Sequence, residues 1–260
     1  MSTAPVIAAV IVTHNSQQYL TETLASITQQ SRAADMTIAI DDSSTDETPA
    51  LLAQHNFTVQ RATTSAQDTT TRIAQNFQQG LRAATNAGAN MVILGDHDDI
   101  WHRNRIKHQV ALLEADPTIG LLASDGFLID EHGAAVPGTI RSTFTVPDHF
   151  TEQPLRSQIA YAMRHSIATG GASAVRPSAM TDWTVPAGWL HDRWWSLAAL
   201  RAGRFALDST PVIDYRISSD QQVGLDTANQ DDTQRWLRGK IKNLGRTTAR
   251  AKDLSRLARP

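Results

Sequence analysis

Apolar segments alternate with amphipathic segments along the first half of the chain. Residues 6–12, 37–40 and 91–94 are short, mostly apolar runs with many β-branched side chains, which predicts strands buried on both faces. Between them, residues 19–27 and 72–87 carry apolar side chains at helical spacing. Strands that alternate with helices in this way predict an α/β fold with a mainly parallel sheet.

The second half continues the pattern less regularly. In that half we predict helices over residues 104–115, 155–164 and 190–202 and strands over residues 119–129, 172–175 and 212–216. A further short strand is predicted in the first half, over residues 57–59. The helix over residues 190–202 is rich in tryptophan and leucine. The chain shows no internal repeat that would divide it into similar units.

Polar clusters directly follow three of the predicted strands. They are Thr13 to Asn15, Asp41-Asp42 and Asp96-His97-Asp98-Asp99. Ligands of open α/β sheets bind beyond the carboxyl ends of the strands, so the three clusters predict one shared binding site.

The acidic run has the spacing of a metal site. Asp96 and Asp98 are two residues apart, so both carboxylates can face one cation, and Asp99 adds a third. A divalent ion held there could neutralise a nucleotide diphosphate. The alternative is a solvated acidic turn, and the Asp41-Asp42 pair also fits an ordinary helix cap.

Composition narrows the choice of metal. The chain has 260 residues, of which 41% are hydrophobic and 19% charged, as in an ordinary globular protein. It has no cysteine, which excludes disulfides and thiolate metal sites. Oxygen or imidazole ligands remain, and these favour Mg²⁺ or Mn²⁺.

His191 and Asp192 precede Trp194 and Trp195 on the tryptophan-rich helix. A carboxylate beside apolar rings has a raised proton affinity, which suits a general base. A helix N-cap followed by two core tryptophans gives the same pattern, and the residues alone leave both interpretations open.

The formal net charge of −2 is unevenly distributed. Residues 235–260 contain nine Lys and Arg against one acidic residue, so this segment is +8 and the rest of the chain is −10. Trp236, Leu237, Ile241 and Leu244 fall on one helical face, which fits a basic helical tail attracted to anionic lipid. A solvated helix or a partly disordered end is an equal alternative. The main body of the chain lacks the pattern of aromatic and basic residues that stacks on nucleic-acid bases, so we do not expect nucleic-acid binding.

The beginning of the chain lacks the basic and long apolar regions of a signal peptide. No apolar run reaches about twenty residues, the length that a membrane-spanning helix needs. We therefore expect a cytoplasmic protein. Its basic tail would allow a peripheral contact with the inner face of the membrane.

Five motifs together resemble the family-2 glycosyltransferases of the GT-A fold. They are Val10-Ile-Val-Thr-His-Asn15, Ile40-Asp-Asp-Ser-Ser-Thr-Asp46, Gly95-Asp-His-Asp-Asp-Ile-Trp101, His191-Asp-Arg-Trp-Trp195 and Tyr215-Arg216. The resemblance runs from about residue 6 to residue 224. The third and fourth motifs look most like bacterial rhamnosyltransferase-type members that build surface polysaccharide.

The resemblance implies a role for each matching residue. It assigns contacts with the nucleotide sugar to Thr13, Asn15, Asp41, Asp42, Arg72, Asp96, Gly170, Gly171 and Arg216. It assigns metal binding to Asp96, Asp98 and Asp99, and the role of general base to Asp192. It further implies a GT-A domain over residues 1–224, with a nucleotide-binding half to about residue 115 and an acceptor half beyond it, followed by the tail at 225–260.

The implied reaction is an inverting transfer of a hexosyl or deoxyhexosyl group. The donor would be a UDP-, dTDP- or GDP-sugar with Mn²⁺ or Mg²⁺, and the acceptor a hydroxyl of a glycan or of a lipid-linked glycan. Relatives often carry a histidine shortly after the Tyr-Arg motif, where this chain has Ile217-Ser-Ser-Asp220. Two alternatives are a metal-dependent phosphohydrolase and a non-catalytic sugar-nucleotide-binding module.

Overall fold

The computed structural model describes residues 4–180 and 182–218. The strands are β1 (Ile7–Thr13), β2 (Met36–Asp41), β3 (Thr58–Arg61), β4 (Met91–Gly95), β5 (Ile100–Trp101), β6 (Leu121–Ile129), β7 (Ala135–Thr139), β8 (Ser173–Val175) and β9 (Phe205–Arg216). The α-helices are α1 (Gln17–Thr28), α2 (Thr48–Gln54), α3 (Thr69–Asn86), α4 (Arg105–Ala115), α5 (Ile140–Phe144), α6 (Leu155–Ala162) and α7 (His191–Arg201).

All nine strands belong to one sheet. Its order is β3-β2-β1-β4-β8-β6-β9-β5, and β7 pairs with β6 beside this path. The first four strands are parallel, with Val10 level with Ile38 on one side and with Leu94 on the other. Strand β8 runs antiparallel between β4 and β6, whereas β6 and β9 are parallel. The prediction of an α/β fold with a mainly parallel sheet flanked by helices is confirmed.

The central strands are apolar because helices cover both of their faces. Every residue of β1 is buried, as expected for a parallel strand at the centre of such a sheet. Helix α3 lies close above it, since a Cβ at Gly80 would be 2.5 Å from Cγ1 of Val10. This close packing holds the start of α3 above the carboxyl ends of β1 and β2.

The strand order changes direction between β1 and β4. From β1 the chain moves outward through β2 and β3, and then returns to β4 on the other side of β1. Such a switch point opens a crevice beyond the carboxyl ends of the two strands. The residues after β1, β2 and β4 meet at this crevice, as the three polar clusters predict.

Three elements escape the sequence patterns. Strand β5 has only two residues, too few for a periodicity, and it exists because it pairs with β9. Strand β7 contains Pro137 and Gly138 and is largely exposed, so it lacks an apolar face. Helix α5 has only five residues and ends at Thr145 in a left-handed conformation.

The basic tail and its predicted membrane contact lie outside the described residues, as does Asp220. Within residues 4–180 and 182–218, no helix combines the length and apolar character needed to cross a membrane.

Candidate active site

A cavity of about 440 Å³ lies at the crevice beyond the carboxyl ends of β1, β2 and β4. Of the residues predicted for the site, those that line this cavity are Thr13, Asn15, Asp42, Asp96, Asp98, Gly170 and Asp192. The remaining ones, Asp41, Arg72, Asp99, Gly171 and Arg216, are not among its lining residues. Residues from five separate motifs therefore form or support one cavity wall.

Asp41 connects the ends of β1 and β2. Its carboxylate accepts a hydrogen bond from the Thr13 hydroxyl at 3.1 Å and others from the Ser44 N–H and hydroxyl at 3.1 and 2.6 Å. In turn, the Ser44 hydroxyl accepts from the Asn15 N–H at 2.9 Å. Asp41 thus holds Thr13 and Asn15 at the cavity without lining it.

Asp42 presents a carboxylate to the cavity with two supports on α3. Its Oδ2 lies 2.9 Å from Nε of Arg72 and accepts a hydrogen bond from the Asn76 amide at 3.1 Å. Arg72 therefore places a positive charge beside Asp42 without lining the cavity itself. Asn76 was not predicted, although it lies three residues after Ile73 and so interrupts the apolar face of the helix, which is a detectable signal.

The turn after β4 crowds three carboxylates. The pKa of Asp96 is raised to about 7 by burial first and then by the negative charges of Asp98 and Asp192. Burial and the same kind of repulsion raise the pKa of Asp99. Oδ2 of Asp99 has no hydrogen-bond partner among the described residues. Such excess negative charge fits a divalent cation, which would relieve both the repulsion and the unpaired oxygen.

The described residues do not converge as a closed metal cage, since no three acidic or histidine side chains among them form one. Asp98 lines the cavity, whereas Asp99 is fully buried behind it. Mg²⁺ and Mn²⁺ sites with one or two protein carboxylates are completed by substrate phosphates. The geometry suits that open type of site.

Gly170 and Gly171 lie between the acidic turn and α7. A Cβ at Gly171 would be 2.6 Å from Oδ2 of both Asp96 and Asp99, so no side chain fits there. The Gly170 N–H donates to Oδ2 of Asp192 at 3.3 Å, and the backbone N–H of Gly171 acts to lower the pKa of Asp96 against the larger effect of burial. The two consecutive glycines thus lie between the predicted base and the predicted metal site.

Asp192 lies in the first turn of α7 and is half-buried at the cavity wall. Its Oδ1 accepts a hydrogen bond from the Arg193 N–H at 2.6 Å, and burial raises its pKa to about 6. A carboxylate with this pKa is largely ionised at neutral pH and still basic enough to take a proton. The N-cap of α7 is Leu190, so the alternative interpretation of His191-Asp192 as the cap is wrong.

Arg216 lies beneath the acidic turn, away from the cavity. Its N–H donates to Oδ1 of Asp99 at 3.1 Å and its Nε donates to the Asp98 carbonyl at 3.0 Å. Its Nη2 pairs with Glu22 of α1 at 2.7 Å. These contacts make Arg216 a support of the acidic turn, and the nucleotide-sugar contact implied by the resemblance stays a prediction.

Arg105, which the sequence analysis did not single out, is a fully buried cation at the start of α4. Its guanidinium donates to the Leu94 carbonyl at 2.6 Å and lies 3.9 Å above the Trp101 ring. Burial lowers its pKa to about 9, while the charges of Asp99 and Asp96 act in the opposite direction. Arg105 therefore supplies a positive charge under the acidic turn.

We expect Arg105→Met to lower the free energy of unfolding by about 3 kcal/mol, because it leaves buried carboxylates without their counter-charge. Urea unfolding followed by circular dichroism measures this change. Arg201→Met, at an exposed position of α7, is the control and should change stability by less than about 0.5 kcal/mol. Equal stability of both variants would contradict the assigned role of Arg105.

The fold has solved relatives. It is similar to S. aureus TarS in complex with UDP (18% identity, TM-score 0.59, covering 82% of this chain and 60% of that chain). It is also similar to a mannosyltransferase of Pyrobaculum calidifontis in complex with GDP-Man and Mn²⁺ (18% identity, TM-score 0.54, 86% of this chain and 59% of that chain). Glucosyl-3-phosphoglycerate synthase of Mycobacterium tuberculosis, in complex with Mn²⁺, UDP and glucosyl-3-phosphoglycerate, gives 16% identity, a TM-score of 0.54, and coverage of 82% and 72%. The chain thus spans about three fifths of the first two proteins.

No relative is found among curated protein sequences. The profile of the family described as glycosyl transferase family 2 matches residues 8–154, more than half of the chain. The match covers the strands and clusters that form the nucleotide side of the cavity. The resemblance inferred from the five motifs is therefore confirmed, and the chain belongs to glycosyl transferase family 2.

Proposed function

We propose that this protein transfers a sugar from a nucleotide-diphosphate donor to an acceptor hydroxyl, with a divalent metal and with inversion at the anomeric carbon. The observation that carries the proposal is that Asp192, whose Oδ2 accepts the Gly170 N–H, lines the same cavity as Asp96 and Asp98. A base and a metal-binding carboxylate so placed can act on the two sides of one substrate.

Each wall of the cavity has its own task in this mechanism. Thr13 and Asp42 contact the nucleoside, with Asp41 and Arg72 holding them in place. Asp98 and Asp96 would hold the metal, which when bound would supply positive charge against the leaving diphosphate. Asp192 removes the proton of the acceptor hydroxyl as its oxygen attacks the anomeric carbon. A single displacement of this kind inverts the configuration and needs no covalent enzyme intermediate.

The nucleotide and sugar are proposed only as classes. The solved relatives bind UDP and GDP-Man, which supports a UDP- or GDP-sugar donor. We also propose dTDP-sugars as a donor class, because the motif resemblance implies them. We propose a hexosyl or deoxyhexosyl group, a glycan or lipid-linked acceptor, and a role in surface polysaccharide synthesis. The basic residues 235–260 support a peripheral membrane location, because a lipid-linked acceptor lies at a membrane surface.

Thermal unfolding with UDP, GDP or dTDP and Mn²⁺ or Mg²⁺ tests the proposal. We expect one nucleotide with metal to stabilise the protein by about 2.7 kcal/mol at a hundred times its Kd. Asp98→Asn should lose the metal-dependent part of this stabilisation, whereas Glu152→Gln, at an exposed position, should keep it. If no nucleotide diphosphate stabilises the wild type with either metal, the proposed donor site is wrong.

The reaction products distinguish sugar transfer from the two alternatives, a metal-dependent phosphohydrolase and a non-catalytic sugar-nucleotide-binding module. A phosphohydrolase would release free sugar or phosphate without needing an acceptor. A non-catalytic module would bind a donor tightly and never turn it over. The raised pKa of Asp192 at the cavity wall favours transfer over simple binding, since carboxyl groups with perturbed pKa values cluster at catalytic sites.

A further inference from the structure

Tyr215 lies near the end of β9, and the proposed mechanism gives it no role. It is only 6% exposed, and it belongs to the cavity wall. The hydroxyls of the other two tyrosines have partners within the fold. That of Tyr19 accepts from the Gln18 amide at 2.8 Å, and that of Tyr161 donates to the Phe144 carbonyl at 3.0 Å. The Tyr215 hydroxyl makes no hydrogen bond with any residue in the described part of the chain.

The Tyr215 hydroxyl can nevertheless be reached from the cavity. It is not among the described polar atoms that are both fully covered and without a hydrogen-bond partner. Since it has no partner, it must retain accessible surface, and the cavity that Tyr215 lines supplies that surface. Buried hydroxyls in folded proteins nearly always have a hydrogen-bond partner. This hydroxyl is therefore placed to bind a group that enters the cavity.

The backbone and the surrounding charges place the hydroxyl of Tyr215 beside the acidic turn. The N–H of the next residue, Arg216, donates to Oδ1 of Asp99 at 3.1 Å, which ties this end of β9 to the turn. Burial raises the pKa of Tyr215 well above its usual value, and nearby negative charges raise it further. In decreasing order of effect, these charges are those of Asp99, Asp96, Asp98 and Asp192. The hydroxyl thus lies closer in electrostatic terms to the acidic turn than to the proposed base.

This surrounding selects the kind of group that the Tyr215 hydroxyl can bind. Ionised carboxylates only accept hydrogen bonds, and so do the oxygens of a diphosphate, whereas a phenol can donate. A diphosphate held at the proposed metal site would bring such oxygens next to the acidic turn. Hydrogen bonds to charged oxygens are shorter and stronger than those between neutral groups. An acceptor hydroxyl would instead lie beside Asp192, whose charge has the smallest effect on Tyr215.

We propose that the Tyr215 hydroxyl donates a hydrogen bond to an oxygen of the donor's diphosphate and so positions the leaving group beside the acidic turn. When the bond between the anomeric carbon and the diphosphate oxygen breaks, its electron pair stays on that oxygen. The hydroxyl keeps its proton and stabilises the charge that develops on the diphosphate. This inference rests on the proposed function, because it requires a nucleotide-diphosphate donor.

Tyr215→Phe tests the inference, because it removes the hydroxyl and keeps the ring. The probes are whichever of UDP, GDP and dTDP stabilises the wild type most, the matching nucleotide sugar, the nucleoside and Mn²⁺ alone. Calorimetry in the presence of Mn²⁺ measures the first three affinities, and electron paramagnetic resonance measures the last. Tyr215→Phe should weaken binding of the nucleotide diphosphate and of the nucleotide sugar by roughly ten- to a hundredfold, the usual value of a hydrogen bond to a charged group. It should leave the affinities for the nucleoside and for Mn²⁺ alone unchanged.

Tyr161→Phe is the matched control, because it removes a tyrosine hydroxyl outside the cavity. That hydroxyl bonds the carbonyls of Phe144 and Thr145, so its loss should lower the thermal midpoint and leave nucleotide binding unchanged. Tyr215→Phe breaks no hydrogen bond within the described fold. Its thermal midpoint without ligand should therefore stay at the wild-type value. A hydroxyl with a purely structural role at Tyr215 would give the same result as at Tyr161.

The outcomes separate this inference from the proposed function. Weaker binding of the nucleotide diphosphate by Tyr215→Phe, at an unchanged thermal midpoint, supports the inference. Unchanged binding, a loss confined to the nucleotide sugar, an equal loss for Mn²⁺ alone, or a lowered midpoint overturns it. In those four cases the proposed function stands as long as the wild type binds the nucleotide diphosphate with Mn²⁺. A wild type that binds no nucleotide diphosphate with Mn²⁺ overturns the proposed function and this inference with it.

Discussion

Asp192→Asn is expected to lower kcat by roughly 10²–10⁴-fold, the usual contribution of a general base. The amide keeps the size of the carboxylate, but its single oxygen can accept only one of the two hydrogen bonds that Oδ2 and Oδ1 receive from the N–H groups of Gly170 and Arg193. It cannot take a proton from the acceptor hydroxyl. Affinity for the nucleotide diphosphate should stay unchanged, because Asp192 is remote from the nucleoside wall formed by Thr13 and Asp42. Initial rates at saturating donor measure the effect.

The pH dependence gives an independent check of the same assignment. The pKa of Asp192 is raised to about 6 by burial, so the wild-type rate should fall as the pH drops below about 6. The residual rate of Asp192→Asn should lack this dependence. Asp182→Asn, at an exposed position, is the control and should keep the wild-type rate and profile.

Unfolding cannot account for the expected loss of rate. A carboxyl group whose pKa is higher in the folded than in the unfolded protein stabilises the fold below its unfolded pKa, and this stability is lost as the pH rises through about 6. Asparagine does not ionise, so the stability of Asp192→Asn should lack this loss with rising pH, and its thermal midpoint at pH 8 shows whether the variant assayed is folded. A folded variant with a near-normal rate would show that Asp192 is not the base.

The first half of the fold was predictable because its strands are buried on both faces. In β1, β2 and β4 the apolar run ends abruptly at polar residues, so both the strand and its ligand-facing end are visible in the sequence. The parallel arrangement then follows from the alternation with helices. For the same reason Thr13, Asp42, Asp96 and Asp98 could be placed at one site before any contact was known.

The supporting residues could not be found in this way, because their roles depend on contacts between distant segments. Arg105 appears in the sequence as a charge at the start of a helix, and only the fold places it under Leu94 and the acidic turn. His191 appears as a cap, yet it stacks on a phenylalanine more than one hundred residues earlier. Periodicity shows which face of a helix is buried, but it does not show what lies opposite.

Some of the residues that the motif resemblance assigns to the site line the cavity, whereas others only support those that do. Asp41 and Arg216 belong to the motifs, and the resemblance also assigns Arg72, but none of the three lines the cavity and each contacts a residue or backbone group that does. Substituting them should therefore act through Thr13, Asp42 or the acidic turn. A motif identifies the residues of a site without separating those that touch the substrate from those that hold them.

Gly171→Ala is expected to abolish most metal-dependent binding, although it adds only a methyl group. The new Cβ would lie 2.6 Å from Oδ2 of both Asp96 and Asp99, closer than real Cβ atoms approach other atoms. Overpacking of this kind costs about 1–3 kcal/mol, and here the groups that must move are two carboxylates of the acidic turn. Misplacing catalytic groups by about 1 Å can lower a rate by roughly 10²-fold.

The Mn²⁺ affinity, measured by electron paramagnetic resonance in the presence of the stabilising nucleotide diphosphate, reports directly on this displacement. Gly120→Ala is a matched control, because its Cβ would meet Cβ of Ala179 at 3.2 Å and Cγ of Met180 at 3.3 Å, away from the cavity. Both variants should lose some stability, since both add a methyl group to a tight space. Only Gly171→Ala should lose Mn²⁺ affinity, because only its neighbours are carboxylates of the proposed metal site. If both variants bind Mn²⁺ as the wild type does, the acidic turn beside Gly171 is not the metal site.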